Sequence, residues 1–343
     1  MVQTTDASPS DIGVGPIAQA ALDLETQGWA VVPDVLSTVE CEEYVSGAWT
    51  WLESLDTGMK RDDPATWGDD RWPSSFRGII NTLEVSHQDF VWRVRQNPRI
   101  LQVFEGLWGT NELLSSFDSI NILKPGQHES STDGWLHVDQ APLRKGVACI
   151  QGLVNMVDVS PETGTLLVKD GSHSSHEDFF QNATVLSEEQ KKQTEDFYKF
   201  QHQERDYFQK FENRALSAKA GSLFLWDSRC AHQNLLPGNT DKWRHVVYTC
   251  YQPKNLATEK DLALKREAYN DRRVTTHWPS MNVKLFPKEG NSYYGAPGAK
   301  KPNFLVKHTR ENVETDMTKQ LAGVKPYPRE SIRNSTPLIH LSV

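Results

Sequence analysis

Gly134-Trp135-Leu136-His137-Val138-Asp139-Gln140 follows a turn-rich run at 130–133 and reads as a strand. On a strand, residues two apart point to the same face. His137 and Asp139 can therefore reach one ion. On a helix the same pair would lie ~200° apart and face opposite sides. The pattern His-x-Asp occurs twice more, at His87-Gln88-Asp89 and His176-Glu177-Asp178. Both follow a serine and look like helix starts, with the acids near the positive end of the helix dipole. They read as surface histidines with N-terminal acids, so the local structure singles out His137 and Asp139.

The surroundings of this stretch are β-rich. Short runs at 119–123, 135–138, 147–157, 165–168, 221–226 and 244–251 alternate with Gly, Pro and Asn. Many short strands with turn signals indicate a sandwich or barrel. A charged insertion, 187–219, interrupts them and carries Phe197, Tyr198, Phe200, Tyr207, Phe208 and Phe211. It reads either as a helical flap over the sheet or as a helical hairpin packed on itself. The first third looks mainly helical. Residues 16–27 form a helix ended by Gly28, and 29–33 a strand. Ser37-Thr38-Val39-Glu40 is a capping box, followed by the i, i+3, i+4, i+7 stripe of an amphipathic helix. Two more helices are expected near 86–96 and 98–108, and another at 257–273. The expected organisation is a flexible start over 1–14 and a single domain over 15–343. Its β core spans about 119–251, followed by a C-terminal extension at 256–343.

Three protein ligands, two His and one carboxylate, bind non-haem Fe(II) and leave positions open. His232 is the best-placed third ligand. It follows the buried-strand run Ser222-Leu223-Phe224-Leu225-Trp226. Twelve residues later Arg244 opens another strand. If the two strands are neighbours, Arg244 comes near His232 and offers a fork that fits a carboxylate. His245 would face away from Arg244, and His173 reads as a rim or structural residue. Gln140, Gln151 and Trp226 neighbour the proposed site strands and are candidate substrate contacts; packing roles suit them equally. Asp227 and Arg229 read as a structural ion pair.

Composition narrows the function classes. The chain has 343 residues, 37 Lys and Arg against 45 Asp and Glu, and a net charge of −8. An acidic chain without a basic run is a poor nucleic-acid binder. Its four cysteines are far apart and form no CxxC pair, which disfavours a zinc–thiolate site. Two of them lie in apolar runs and read as buried thiols. No run approaches the ~18 apolar residues of a membrane span. The start resembles no secretory signal and the last three residues no peroxisomal address. A cytoplasmic protein of unknown oligomeric state, acting on a small molecule without nucleic acid or membrane, is the expectation.

Asn121-Ile122-Leu123-Lys124-Pro125-Gly126, Trp135-Leu136-His137-Val138-Asp139-Gln140, Gly164-Thr165-Leu166-Leu167-Val168 with Gly171-Ser172-His173, His232 and Arg244 together resemble the phytanoyl-CoA dioxygenase family. The opening Gly28-Trp29-Ala30-Val31-Val32-Pro33 is similar to that family's N-terminal signature. The resemblance covers about residues 20–255. It implies a mainly β fold, a double-stranded β-helix or cupin-type jelly roll, flanked by N- and C-terminal helices. It implies Fe(II) on His137, Asp139 and His232. The distal carboxylate of 2-oxoglutarate would lie on Arg244, with Asn121 also contacting this co-substrate. The step of twelve from His232 to Arg244 is one longer than the family's common spacing.

The activity implied is hydroxylation, desaturation or cyclisation at an unactivated C–H bond, with O2 consumed and succinate and CO2 released. Related halogenases replace the carboxylate ligand with a small residue, so Asp139 argues against halogenation. Two alternatives stand beside this reading: a zinc hydrolase on the same three ligands, which would not need Arg244, and a catalytically silent jelly-roll binding module. A CoA ester would favour a basic patch. Lys265-Arg266 with Arg272-Arg273 are candidates, but a solvated helix face suits them better.

Overall fold

Two antiparallel sheets face each other at the centre of the computed structural model, which describes residues 11–126, 134–238, 241–288 and 303–340. The strands are β1 (Trp29–Val32), β2 (Ile79–Ile80), β3 (Leu113–Ser115), β4 (Ile120–Leu123), β5 (His137–Val138) and β6 (Ile150–Asn155). They continue with β7 (Thr165–Lys169), β8 (Tyr198–Lys199), β9 (Asn213–Ala215), β10 (Leu223–Asp227), β11 (His232–Leu235) and β12 (Arg244–Pro253). The major sheet runs β1-β10-β6-β12-β4-β2, with β3 beside the far end of β12. The minor sheet runs β8-β5-β11-β7-β9. The sheets do not close on each other. This is the jelly roll that the resemblance implied.

The major sheet is buried on both faces, and its strands read as near-continuous apolar runs for that reason. In β10, Leu223 and Leu225 point into the layer of helices, whereas Phe224 and Trp226 point between the sheets. In β12, Val247 and Tyr251 face the helices and Val246 faces the minor sheet. The helices on the outer face are α1 (Val14–Gln27), α2 (Thr38–Ser54), α3 (Asp89–Arg95) and α4 (Pro98–Trp108). Ser37 caps α2 in the expected box with Glu40, a motif worth ~1 kcal/mol. Gly28 ends α1 at φ 82°. A Cβ there would lie 2.5 Å from Nδ1 of His173, so only glycine fits. His173 in turn bonds the Glu25 carbonyl at 3.0 Å and is structural.

Several expectations are corrected. The insertion at 187–219 is only partly helical, and its aromatic rings pack on the minor sheet. Its short helices α6 (Glu188–Lys191) and α7 (His202–Tyr207) are interleaved with β8 and β9, the two edges of the minor sheet. Tyr198, Phe200 and Phe208 pack with Leu136, Val138, Phe179 and Phe180 on the sheet's outer side. Strands this short have no readable period, so the aromatic run was the only signal.

His87 and His176 are buried rather than superficial. Nε2 of His87 lies 2.9 Å from the Arg273 carbonyl, and burial together with nearby guanidinium groups pushes its pKa well down. His176 opens α5 (His176–Asn182), bonds the Gln140 carbonyl at 3.2 Å, and is pushed by burial to about 4. The acids behave as expected, with Asp89, Glu177 and Asp178 in first helical turns. All four cysteines are buried and free. Helix α1 begins at Val14, inside the start expected to be flexible; residues 1–10 and the turn at 130–133 lie outside the described residues.

The basic residues of α8 (Glu259–Asn270) and its following turn are not a solvated or phosphate-binding face. Arg266 bonds the Gly323 carbonyl, Arg272 pairs with Glu311, and Arg273 pairs with Glu267. They tie the C-terminal extension to itself, and its last helix, α9 (Asp316–Leu321), touches β3. Lys265 is buried over the Phe117 ring, with Nζ 2.6 Å from the Ser115 carbonyl. Burial, reinforced by Arg95, pushes its pKa from 10.5 to about 7.

Between those two values the unfolded chain holds a proton that the folded chain has lost, so stability rises with pH across the window. The contribution is at most about 1.4 kcal/mol per pH unit. Urea midpoints at pH 7 and pH 9.5 should differ less in Lys265→Met than in the wild type; an unchanged difference would contradict a deprotonating Lys265.

Candidate metal centre

His137 on β5 and His232 on β11 are direct register partners. Paired residues share a face, and the two rings lie 4.2 Å apart between the sheets. Asp139 follows β5 by one residue, and its amide donates to the Ser228 carbonyl at 2.9 Å. Its Oδ2 lies 3.3 Å from Nε2 of His232 and 3.7 Å from Nε2 of His137. One ligand atom from each of the three falls within 4.8 Å of the others, and all three residues are buried.

The imidazoles are held for coordination. Nδ1 of His137 lies 2.7 Å from the Trp135 carbonyl, and Nδ1 of His232 lies 2.9 Å from the Cys230 carbonyl. A carbonyl only accepts, so each Nδ1 carries the proton and each Nε2 presents its lone pair. Burial, with His232 alongside, pushes His137 down to about 3, which keeps it neutral. Burial alone would raise Asp139. His277, His137 and His232 outweigh it and hold the carboxyl below the usual range. Two imidazoles and one carboxylate suit a divalent transition metal and leave positions open. Gln151 donates from Nε2 to Oδ2 of Asp139 at 2.9 Å and fixes that carboxylate.

Arg244 opens β12 and is buried. It does not reach the site through a neighbouring strand. β11 pairs with β5 and β7, whereas β12 lies in the other sheet, so the guanidinium approaches from across the sandwich. Its Nη2 is 3.4 Å from Oδ1 of Asn234, and Nε and Nη1 have no hydrogen-bond partner among the described residues. Burial lowers its pKa, and the Tyr248 hydroxyl acts against that. Asn234 donates to the Tyr248 hydroxyl at 3.0 Å. Asn121 is buried near this cluster. It donates to the Arg77 carbonyl at 2.8 Å, and its Oδ1 has no partner. A buried cation with two orphaned donors and neutral neighbours is a seat for a carboxylate.

The other candidates have settled places. Gln140 donates to the Arg144 and Gly146 carbonyls of its own loop and accepts from Ser228 Oγ after β10, so both ends of its amide are used. Trp226 packs 5.4 Å from the His232 ring. His245 faces the helices beside Trp243 and Tyr44, away from Arg244. Asp227 and Arg229 form their ion pair at 2.7 Å.

Sequence reading missed Tyr248, Asn234 and His277. Tyr248 lies four residues from Arg244 on one strand, and Asn234 two from His232, so the period of two could have found both. His277 comes from the C-terminal extension, where no pattern marks it.

A model of the phytanoyl-CoA dioxygenase family matches residues 24–246. The Ava biosynthesis cluster protein O of Aspergillus versicolor is 32% identical over 267 residues, spanning 75% of this chain and 84% of that protein. A candidate oxidoreductase from Salmonella typhimurium LT2 is similar in fold, with a TM-score of 0.56 at 12% identity, over 88% of this chain and 82% of that one. HygX from Streptomyces hygroscopicus, solved with nickel, 2-oxoglutarate and hygromycin B, gives a TM-score of 0.45 at 16% identity over 68% of this chain and 86% of its own.

The Gln151–Asp139 bond makes a checkable statement about this cluster. Partners that orient metal ligands typically contribute 10–100-fold in affinity. Gln151→Leu should weaken Co(II) binding by about that factor in a titration followed by visible absorption, and unaltered affinity would show that the bond does not orient Asp139.

Proposed function

The chain belongs to the phytanoyl-CoA dioxygenase family and is an iron(II)- and 2-oxoglutarate-dependent oxygenase, and we propose that His137, Asp139 and His232 hold its iron and Arg244 its keto acid. The observation that carries this reading is the arrangement of the two Nε2 lone pairs around an ionised, Gln151-held carboxylate. When bound, iron(II) with 2-oxoglutarate and O2 supplies oxidation of an unactivated C–H bond, with release of succinate and CO2.

The chain's own residues prepare the site for that chemistry. The Trp135 and Cys230 carbonyls fix the tautomer of each histidine. Arg244 would hold the distal carboxylate of 2-oxoglutarate, since its Nε and Nη1 have no partner among the described residues. Tyr248 lies beside that guanidinium, and Asn121 is buried nearby. Burial of all three ligand side chains and of Arg244 keeps bulk water from the reacting groups. The substrate is a small molecule, and its oxidation is a hydroxylation, desaturation or cyclisation. The full span 15–343 acts as one oxygenase unit, because the C-terminal extension brings His277 towards Asp139.

Under anaerobic conditions the protein with Fe(II) and 2-oxoglutarate should show a weak visible charge-transfer band. His137→Ala and Asp139→Ala should abolish it; persistence in both would sink the ligand assignment. Arg244→Ala should raise the 2-oxoglutarate concentration needed for half the band by roughly 10–100-fold, the loss of a charge-assisted pair. Arg244→Lys should recover part of it. A zinc hydrolase on the same ligands would be indifferent to Arg244→Ala.

A further inference from the structure

Residues along β8 alternate between two environments. Tyr198 and Phe200 are buried among the aromatic rings outside the minor sheet. Phe197 and Lys199 point the other way, towards the metal ligands. The Phe197 ring lies 5.0 Å from that of His137. Lys199 is the register partner of His137 and therefore shares its face. The inner face of the minor sheet thus reads, strand by strand, Lys199, His137, His232, Val168, Arg214. Arg214, exposed at one end of the row, pairs with Asp170 and Glu212, and Lys199 is exposed at the other.

An aromatic wall stands at that open end. Trp135 lies 4.3 Å from His137, and Phe76 lies 5.1 Å from Trp135; both are half-buried. Phe197 is 44% exposed. Such a ring leaves apolar area in water, yet its backbone is firmly held. The preceding residue, Asp196, has a side chain 2% exposed. It accepts from the Ala141 amide at 2.9 Å, from Arg144 Nε at 3.0 Å and Nη2 at 2.9 Å, and from Asn282 Nδ2 at 2.5 Å. An exposed aromatic on a clasped backbone, beside a metal ligand, has the form of a binding wall.

The wall's size and charge indicate its occupant. Three side chains fall far short of the ~800 Å² that each partner buries in a stable protein interface. Three arginines around the wall are engaged, Arg77 by the Asn234 carbonyl, Arg144 by Asp196 and Arg205 by the Gly134 carbonyl. Lys199 stands beside the rings with no ion-pair partner among the described residues. One lysine suits a single anionic group and is a poor match for the several phosphates of a CoA ester.

We propose that Phe76, Trp135, Phe197 and Lys199 form the substrate subsite, and that it takes a planar aromatic small molecule carrying one anionic group. The ring lies against Phe197 and Trp135, and the anion reaches Nζ of Lys199. This rests on the oxygenase reading, which makes His137 the inner edge of the substrate cavity.

The test uses the full chain, anaerobic, with Fe(II) and saturating 2-oxoglutarate to fill the Arg244 seat. Binding of 2-naphthoate, 2-naphthol and cyclohexanecarboxylate is measured by equilibrium dialysis. Naphthoate should bind at least fivefold tighter than either of the others. Phe197→Ala should erase its advantage over cyclohexanecarboxylate, and Phe197→Tyr should retain it. Lys199→Gln should level naphthoate with naphthol. Equal binding of the three probes, or an order untouched by Phe197→Ala and Lys199→Gln, overturns the subsite. So does naphthoate binding that 2-oxoglutarate displaces, since that locates it on Arg244. The charge-transfer band is recorded on the same sample. A missing band with the probe order intact defeats the oxygenase reading alone, and a normal band with a flat order defeats the subsite alone.

Discussion

A side chain's face on a strand is decided by register, and the site depends on the register of one pair, His137 with His232. β5 is only two residues long and cannot fix its own alignment. Its alignment comes from its other face. Leu136 and Val138 enter an aromatic core with Phe179, Phe180, Tyr198, Phe200 and Phe208. A slip of one residue would turn those apolar chains inward and the histidine outward. The hydrophobic cluster on the far side of the sheet therefore aims the polar groups on the near side.

The second half of the site comes from the opposite sheet. Arg244 is buried without a carboxylate beside it, and its closest side-chain neighbours, Asn234 and Tyr248, are neutral. A buried, unpaired cation is expensive, by several kcal/mol. The jelly roll meets that cost because β12 is long and shared, pairing with β3, β4 and β6 at once. Stability drawn from those three ladders supports the buried guanidinium between the sheets.

What was legible in the sequence was what local period encodes. The strands β1, β4, β6, β10 and β12 of the major sheet, the capping box at Ser37, the stop at Gly28 and the shared face of His137 and Asp139 all follow from residues a few positions apart. Burial of His87 and His176 did not, since it depends on what packs over the helix start. Nor did the path of Arg244, because strands adjacent in sequence here belong to different sheets. β8 and β9 are too short to show alternation. Asp196 and His277 gain meaning only from partners about 55 to 140 positions away, and no spacing rule reaches so far.

The Asp196 clasp also sets an order of events. It joins residues 141, 196 and 282, whereas the proposed iron ligands are complete at 232. Fifty residues separate His232 from Asn282, roughly 3–10 s of synthesis at ordinary rates. A nascent chain thus owns its full donor set before it owns the last strap of the cover. The order of residues along the chain places the clasp after the proposed ligands in synthesis.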